Sequence, residues 1–144
     1  VNLSPQGLDT IKGFEQLRLT AYLDTGGVWT IGYGHTRSAL SGMQISEARA
    51  LMLLAQDVAE AVEAVNKLVR VPLEQYEFDA LVSFVFNVGV GAFKSSTMLR
   101  CVNDRAEPMR IGTEFLRWVY DNGKKIAGLE TRRRKERLLF LGRA

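Results

Sequence analysis

The chain of 144 residues has the length of one domain with one main core, and 47% hydrophobic with 24% charged residues excludes a disordered polymer. The longest apolar stretch, Ala80 to Val90, is interrupted by Ser83 and Asn87 and is too short to cross a bilayer; the single Cys101 excludes an intramolecular disulfide framework. The net charge of +3 is uneven, with Arg132, Arg133, Arg134, Lys135 and Arg137 crowded together. Such a run is a solvated face or a contact for a polyanion, and alone it does not separate the two.

Ser4-Pro5 predicts a helix start, with Ser4 as N-cap and Pro5 in the first helical position, and Leu8, Ile11 and Phe14 form an apolar stripe ending near Glu15. From Leu17 the texture changes. Leu19, Ala21 and Leu23 alternate with Thr20 and Tyr22, and Thr30, Ile31 and Tyr33 follow a Thr25-Gly26-Gly27 turn, which predicts a short hairpin. Ser46 caps a long helix whose stripe runs through Leu51, Ala55, Val58, Val62, Val65 and Val69, with Pro72 at or beyond its end. Phe78, Leu81, Val82, Phe84, Val85 and Phe86 predict a nearly all-apolar central helix. Shorter helices follow near Ser96 to Val102, Glu107 to Tyr120 and Glu130 to Leu141, with Asn87, Gly89, Gly91, Asn103, Asn122 and Gly123 as helix-ending residues.

One helix, one small sheet and then mostly helices is an α+β order. The expected architecture is a small hairpin-bearing lobe over 16–46 and a larger helical lobe from 1–15 and 70–144. A long helix over 46–69 joins them, leaving a cleft suited to a polymeric substrate.

Cleavage of a glycosidic bond needs two carboxyl groups, one protonated to donate to the leaving oxygen and one acting on the opposite face. Glu15, after Gly13 and Phe14 at a helix end, has apolar neighbours that favour the protonated form, and Asp24 lies in an open turn. Spacing alone leaves the alternative of a surface glutamate and an ordinary turn aspartate. The local sequence taken whole goes further. A glutamate, eight residues, an aspartate, five residues and a threonine leading into Ile-Gly-x-Gly-His are met by Glu15, Asp24, Thr30 and Ile31 through His35. This segment resembles the active-site segment of phage-type lysozymes, the T4 lysozyme family or glycoside hydrolase family 24. The resemblance extends to Gln56–Val62, Phe78–Gly89, Arg117–Tyr120 and Gly128–Arg133, while the loop from Arg37 to Met43 looks unconstrained.

The resemblance implies that Glu15 is the general acid and that Asp24 and Thr30 place or activate the attacking water, which means inversion; a covalent intermediate on Asp24 is the alternative. Tyr33, Gly34, Phe86, Asn87 and Gly89 are expected to contact substrate, although Asn87 also reads as a helix-ending residue. His35 is expected to pair with Asp57, an ion pair that stabilises the fold only while His35 is protonated. Arg132 or Arg133 is expected to pair with Glu15, against the alternative of a solvated basic face. Trp118 reads as core rather than sugar platform. One departure is Gln16, where the family commonly has glycine.

The implied activity is an endolysin muramidase cutting the β-1,4 bond between N-acetylmuramic acid and N-acetylglucosamine in bacterial peptidoglycan. A lytic transglycosylase has no need of the Asp24 and Thr30 pair, and a non-catalytic binding module has no need of Glu15. The expected protein is a monomer needing no cofactor and no metal, since Cys101 and His35 lack carboxylates at ligand spacing. No nucleic-acid motif accompanies the arginines. No signal segment precedes Ser4 and no membrane anchor is visible. The resemblance implies synthesis in the bacterial host cytoplasm and action on the wall in the periplasm, with any export signal lying upstream of the residues read.

Overall fold

Ser4 and Pro5 start the first helix as their chemistry requires: the Ser4 hydroxyl accepts from the Gly7 N–H at 3.0 Å, and Pro5 opens α1 (Pro5–Phe14). The computed structural model describes residues 1–143. After α1 come β1 (Arg18–Leu23), β2 (Trp29–Gly32), α2 (Glu47–Leu68), α3 (Gln75–Val88), α4 (Val90–Lys94), α5 (Thr97–Asn103) and α6 (Pro108–Phe115). A second hairpin, β3 (Tyr120–Asp121) and β4 (Lys124–Lys125), precedes α7 (Ala127–Phe140). Two compact units divide the chain: one is Asp9–Ala59, the other is Val1–Leu8 with the chain from Glu60 onward, and the boundaries fall within α1 and within α2.

The smaller unit is built on the antiparallel pair of β1 and β2, with Tyr22 opposite Thr30 and Leu23 opposite Trp29. The register shifts between Arg18 and Tyr22, and in that interval β1 turns to another neighbour: the Ala21 N–H donates to the Met43 carbonyl and the Ile45 N–H to the Leu19 carbonyl, each at 2.9 Å. The loop from Arg37 to Met43 is therefore constrained, contrary to its featureless sequence, and Ala39 is buried within it. Ile31, Ala39 and Leu53 form the core of this unit, packed by Ala21, Trp29, Met43 and Ile45.

Helix α2 starts where Ser46 accepts from the Arg49 N–H at 3.1 Å. Its buried side is Ala50, Leu53, Leu54, Val58, Ala61, Ala64 and Val65, whereas Leu51 and Ala55 of the expected stripe are exposed. Gly32 explains the choice, since a Cβ there would lie 3.3 Å from that of Ala50; the first turns of α2 press on the β2 backbone at that point.

The larger unit centres on α3, which packs principally against α7. Eight consecutive residues, Phe78 to Val85, are buried. Phe84 is the hub of an aromatic cluster, with edge contacts to Phe93, Phe115 and Trp118 at centroid distances of 6.3, 5.4 and 5.5 Å. Buried Asp79 ties α1 to α3: it accepts from the Ser4 N–H, the Ser4 hydroxyl and the Gln75 amide. Three elements differ from expectation. Gly91, expected to end a helix, lies inside the short helix α4. Helix α6 stops at Phe115 instead of running to Tyr120, and Asn122-Gly123 makes the turn of a hairpin rather than ending a helix. Both of those residues have positive φ, 50° and 77°, as an Asn-Gly hairpin turn requires.

Candidate active site in the hairpin unit

Asp24 is the first residue of the turn between β1 and β2. Its carbonyl accepts from the Gly27 N–H at 3.0 Å, and Gly27 takes the left-handed conformation with φ of 79°. This is a type I turn closed by a left-handed glycine, for which aspartate in first position is well suited. The Asp24 carboxylate accepts from the Gly26 N–H at 2.9 Å and from the Val28 N–H at 2.8 Å, both through Oδ1. Thr30 follows in β2, buried, and its hydroxyl donates to the Val28 carbonyl at 3.0 Å. Because Thr30 stands opposite Tyr22, and Asp24 lies two residues beyond Tyr22, Asp24 and Thr30 belong to one face of the hairpin; Ala21, Trp29 and Ile31 take the core side.

Glu15 sits just past α1, where its N–H still donates to the Lys12 carbonyl at 3.2 Å. Its carboxylate lies against Gly34: a Cβ at that position would be 3.1 Å from Glu15 Oε2. Gly34 also has φ of 82°, so both the backbone and the carboxylate above it ask for glycine. Gly34→Ala is therefore expected to displace the Glu15 carboxylate while costing ~1–3 kcal/mol of stability from the strained backbone. Thermal unfolding together with the rate of peptidoglycan solubilisation checks this, and a variant with wild-type values of both would remove the packing argument. Gln16 is exposed and its φ is negative, so the departure from the family glycine meets no backbone obstacle.

Tyr33, expected to contact substrate, is buried, with the Lys12 ammonium 5.8 Å from its ring centroid. With 4% of its surface exposed it serves packing, and Lys12 is the neighbour that sequence spacing did not single out. His35 Nδ1 lies 2.8 Å from Asp57 Oδ2, which links the loop after β2 to α2. His35 Nε2 lies 2.7 Å from the Ser38 hydroxyl and 3.3 Å from the Ser38 N–H. A backbone N–H only donates, so that last contact is available only to the neutral ring, whereas Nδ1 donates to Asp57 in either state.

The remaining expected residues belong to the helical unit. Phe86 is half-buried near the end of α3, and Gly89, with φ of 94°, ends that helix by donating its N–H to the Val85 carbonyl. Asn87 is exposed, and its Oδ1 accepts from Arg133 Nη2. Arg132 and Arg133 are buried, so neither is part of a solvated basic face. Arg132 Nε donates to Glu136 at 3.1 Å, while Arg133 donates to Glu136, to Asn87 and, at 3.0 Å, to the Trp118 carbonyl. Burial pushes the Arg133 guanidinium below its ordinary value, and the Glu136 charge works against that push. Trp118 packs edge-on against Phe84 and also borders an open groove of about 460 Å³ with Ser95, Ser96, Thr97, Glu114 and Arg117. Among the described residues no group of histidine, cysteine and carboxylate side chains could hold a metal ion.

Comparison with known proteins gives this arrangement its family. Residues 12–136 match the phage lysozyme family. The chain is 47% identical to an endolysin of Bacillus phage B103 over 98% of its own length, but over only 54% of that protein's; it thus spans about half the length of that relative. It is 41% identical to the endolysin of Salmonella phage P22, covering 98% of this chain and 99% of that one. Among solved structures, the muramidase domain of SpmX from Asticaccaulis excentricus superposes with a TM-score of 0.91 at 43% identity, over 97% of each chain. The chain belongs to the phage lysozyme family.

Proposed function

We propose that this chain is a muramidase of the endolysin type, hydrolysing the β-1,4 bond between N-acetylmuramic acid and N-acetylglucosamine in bacterial peptidoglycan and so lysing the host cell. Glu15 donates its proton to the leaving oxygen. Asp24 and Thr30 hold the attacking water on the opposite face of the sugar, so the reaction inverts the anomeric carbon. Atoms balance simply: water oxygen bonds to the anomeric carbon as the glycosidic bond breaks, and the Glu15 proton passes to the leaving oxygen. One water proton passes to Asp24, and the other stays on the new anomeric hydroxyl.

The observation that carries this reading is the common face of Asp24 and Thr30 on one hairpin, in the same unit as Glu15. A direct nucleophile needs a carboxylate about 5–5.5 Å from the acid, whereas a held water needs about 6.5–9.5 Å. The Thr30 hydroxyl beside Asp24 is a water ligand and has no part in a double displacement. Relatives named as endolysins, and a solved domain named as a muramidase, support the substrate class. No helix among the described residues is long and apolar enough to cross a membrane.

Digestion of purified peptidoglycan by the wild type and by Glu15→Gln, with the muropeptides weighed by mass spectrometry, tests the proposal. Products carrying an added water, and their loss in Glu15→Gln, are expected. Anhydro ends would make the chain a lytic transglycosylase and strip Asp24 and Thr30 of their roles. Binding without cleavage by the folded wild type would make it a peptidoglycan-binding module.

A further inference from the structure

We infer that Gly27 and the main chain of Val28 are positioning elements for the attacking water, an inference that rests on the roles proposed above for Asp24 and Thr30. The Val28 peptide groups touch both side chains. The Val28 N–H donates to Asp24 Oδ1 at 2.8 Å, and the Val28 carbonyl accepts from the Thr30 hydroxyl at 3.0 Å. The same carbonyl accepts from the Asp24 N–H at 2.9 Å, so the residue is clamped to the turn from both sides.

This bracket decides what each side chain can offer to a water. The Thr30 proton is committed to Val28, so the Thr30 oxygen faces the water with lone pairs only. Asp24 Oδ1 is committed to the Gly26 and Val28 N–H groups, so Oδ2 is the oxygen that takes the water's proton. Both residues then meet the water as acceptors. They draw its two protons toward Asp24 and Thr30 and leave an oxygen lone pair for the anomeric carbon. A donor beneath the water would instead occupy one of its oxygen lone pairs.

Gly27 sets the geometry of the bracket. It lies between the two N–H groups that hold Asp24, and its φ of 79° is a left-handed value that β-carbon-bearing residues adopt at a cost, asparagine least among them. Nothing lies within 4 Å of a Cβ built there, so a substitution acts through backbone conformation and not through collision. The Val28 side chain is exposed, which leaves its peptide groups as its contribution to the site.

The test combines kinetics on soluble peptidoglycan fragments with amide hydrogen exchange, using Gly27→Ala, Gly27→Asn and Asp24→Asn, each checked by thermal unfolding. Gly27→Ala is expected to lower kcat by ~10–100-fold with KM within ~2-fold, because a displaced water affects the chemical step and not ground-state binding. Gly27→Asn is expected to restore most of kcat. The Gly26 and Val28 amides should be protected in the wild type and in Asp24→Asn, whose side-chain oxygen still accepts. Wild-type kcat in a folded Gly27→Ala, a KM effect alone, no recovery in Gly27→Asn, or an unprotected Val28 amide in the wild type would each overturn the inference. Full activity of Asp24→Asn would instead overturn the proposed role of Asp24, which separates the two failures; the exchange measurement stands even if the alanine variant does not fold.

Discussion

Asp24→Asn is expected to fold and unfold like the wild type and to lose ~10²–10⁴-fold in kcat, the range contributed by a positioned acid or base. The substitution separates two roles that the sequence leaves entangled. As the first residue of the turn, Asp24 accepts from the Gly26 and Val28 N–H groups through Oδ1, and an asparagine carbonyl oxygen accepts in the same way. The turn survives. What is lost is the negative charge and the second acceptor oxygen, because the amide presents an NH2 donor where Oδ2 was and cannot take a proton from water. Asp24→Ala is the contrast: it removes both roles, so it should lose activity and also ~1–3 kcal/mol of stability with the two hydrogen bonds. The measurements are thermal unfolding midpoints and kcat on peptidoglycan for both variants. If Asp24→Asn keeps its kcat, the aspartate is a turn residue and the hydrolytic water is held elsewhere.

The hairpin was legible because two local signals agreed: alternation on both sides and a turn rich in glycine between them. The ordering of Asp24 and Thr30 on one face follows from strand parity once the register is known. Their connection through Val28 was not legible, because it runs through main-chain groups, and the Val28 side chain carries no signal of it. Helix α2 shows a different failure. Ala50 to Ala55 is an unbroken apolar run, so two neighbouring faces satisfy helical spacing equally well, and only packing of Ala50 on Gly32 selects the one that is buried. The second hairpin has strands of two residues each, too short for alternation, which left Asn122-Gly123 as its sole local mark.

Charge burial was the least legible feature. Arg132, Arg133 and Glu136 are spaced three and four residues apart, a pattern that commonly forms exposed helical pairs. Their burial depends on α3 supplying Ser83, Asn87 and the Phe84 ring, and no periodicity within α7 reports that. The adjacent pair of Arg134 and Glu130 shows how little the spacing decides: the same i, i+4 geometry lies at the surface, with Lys125 also on Glu130.

Glu136→Leu is expected to be the most destabilising single change in the helical unit, costing ~3–5 kcal/mol. Glu136 is fully buried and accepts from the Ser83 hydroxyl, from Arg132 and from Arg133. Removing it takes away the carboxylate that both buried guanidinium groups share. Leucine fills the volume but satisfies none of those donors. Arg133 keeps the Trp118 carbonyl and its place 5.1 Å from the Phe84 ring centroid, which moderates the loss without neutralising the charge. Because a domain of this size has ~5–15 kcal/mol in total, such a loss is a large share of it. The exposed pair supplies the internal control, since Arg134→Ala should change stability by ~0–1 kcal/mol. Urea unfolding of both variants at neutral pH measures the contrast. A Glu136→Leu protein within 1 kcal/mol of the wild type would mean that water reaches the cluster in place of the carboxylate. Glu136→Gln should fall between the two, because it keeps an acceptor oxygen for one arginine and loses the charge that both arginines share.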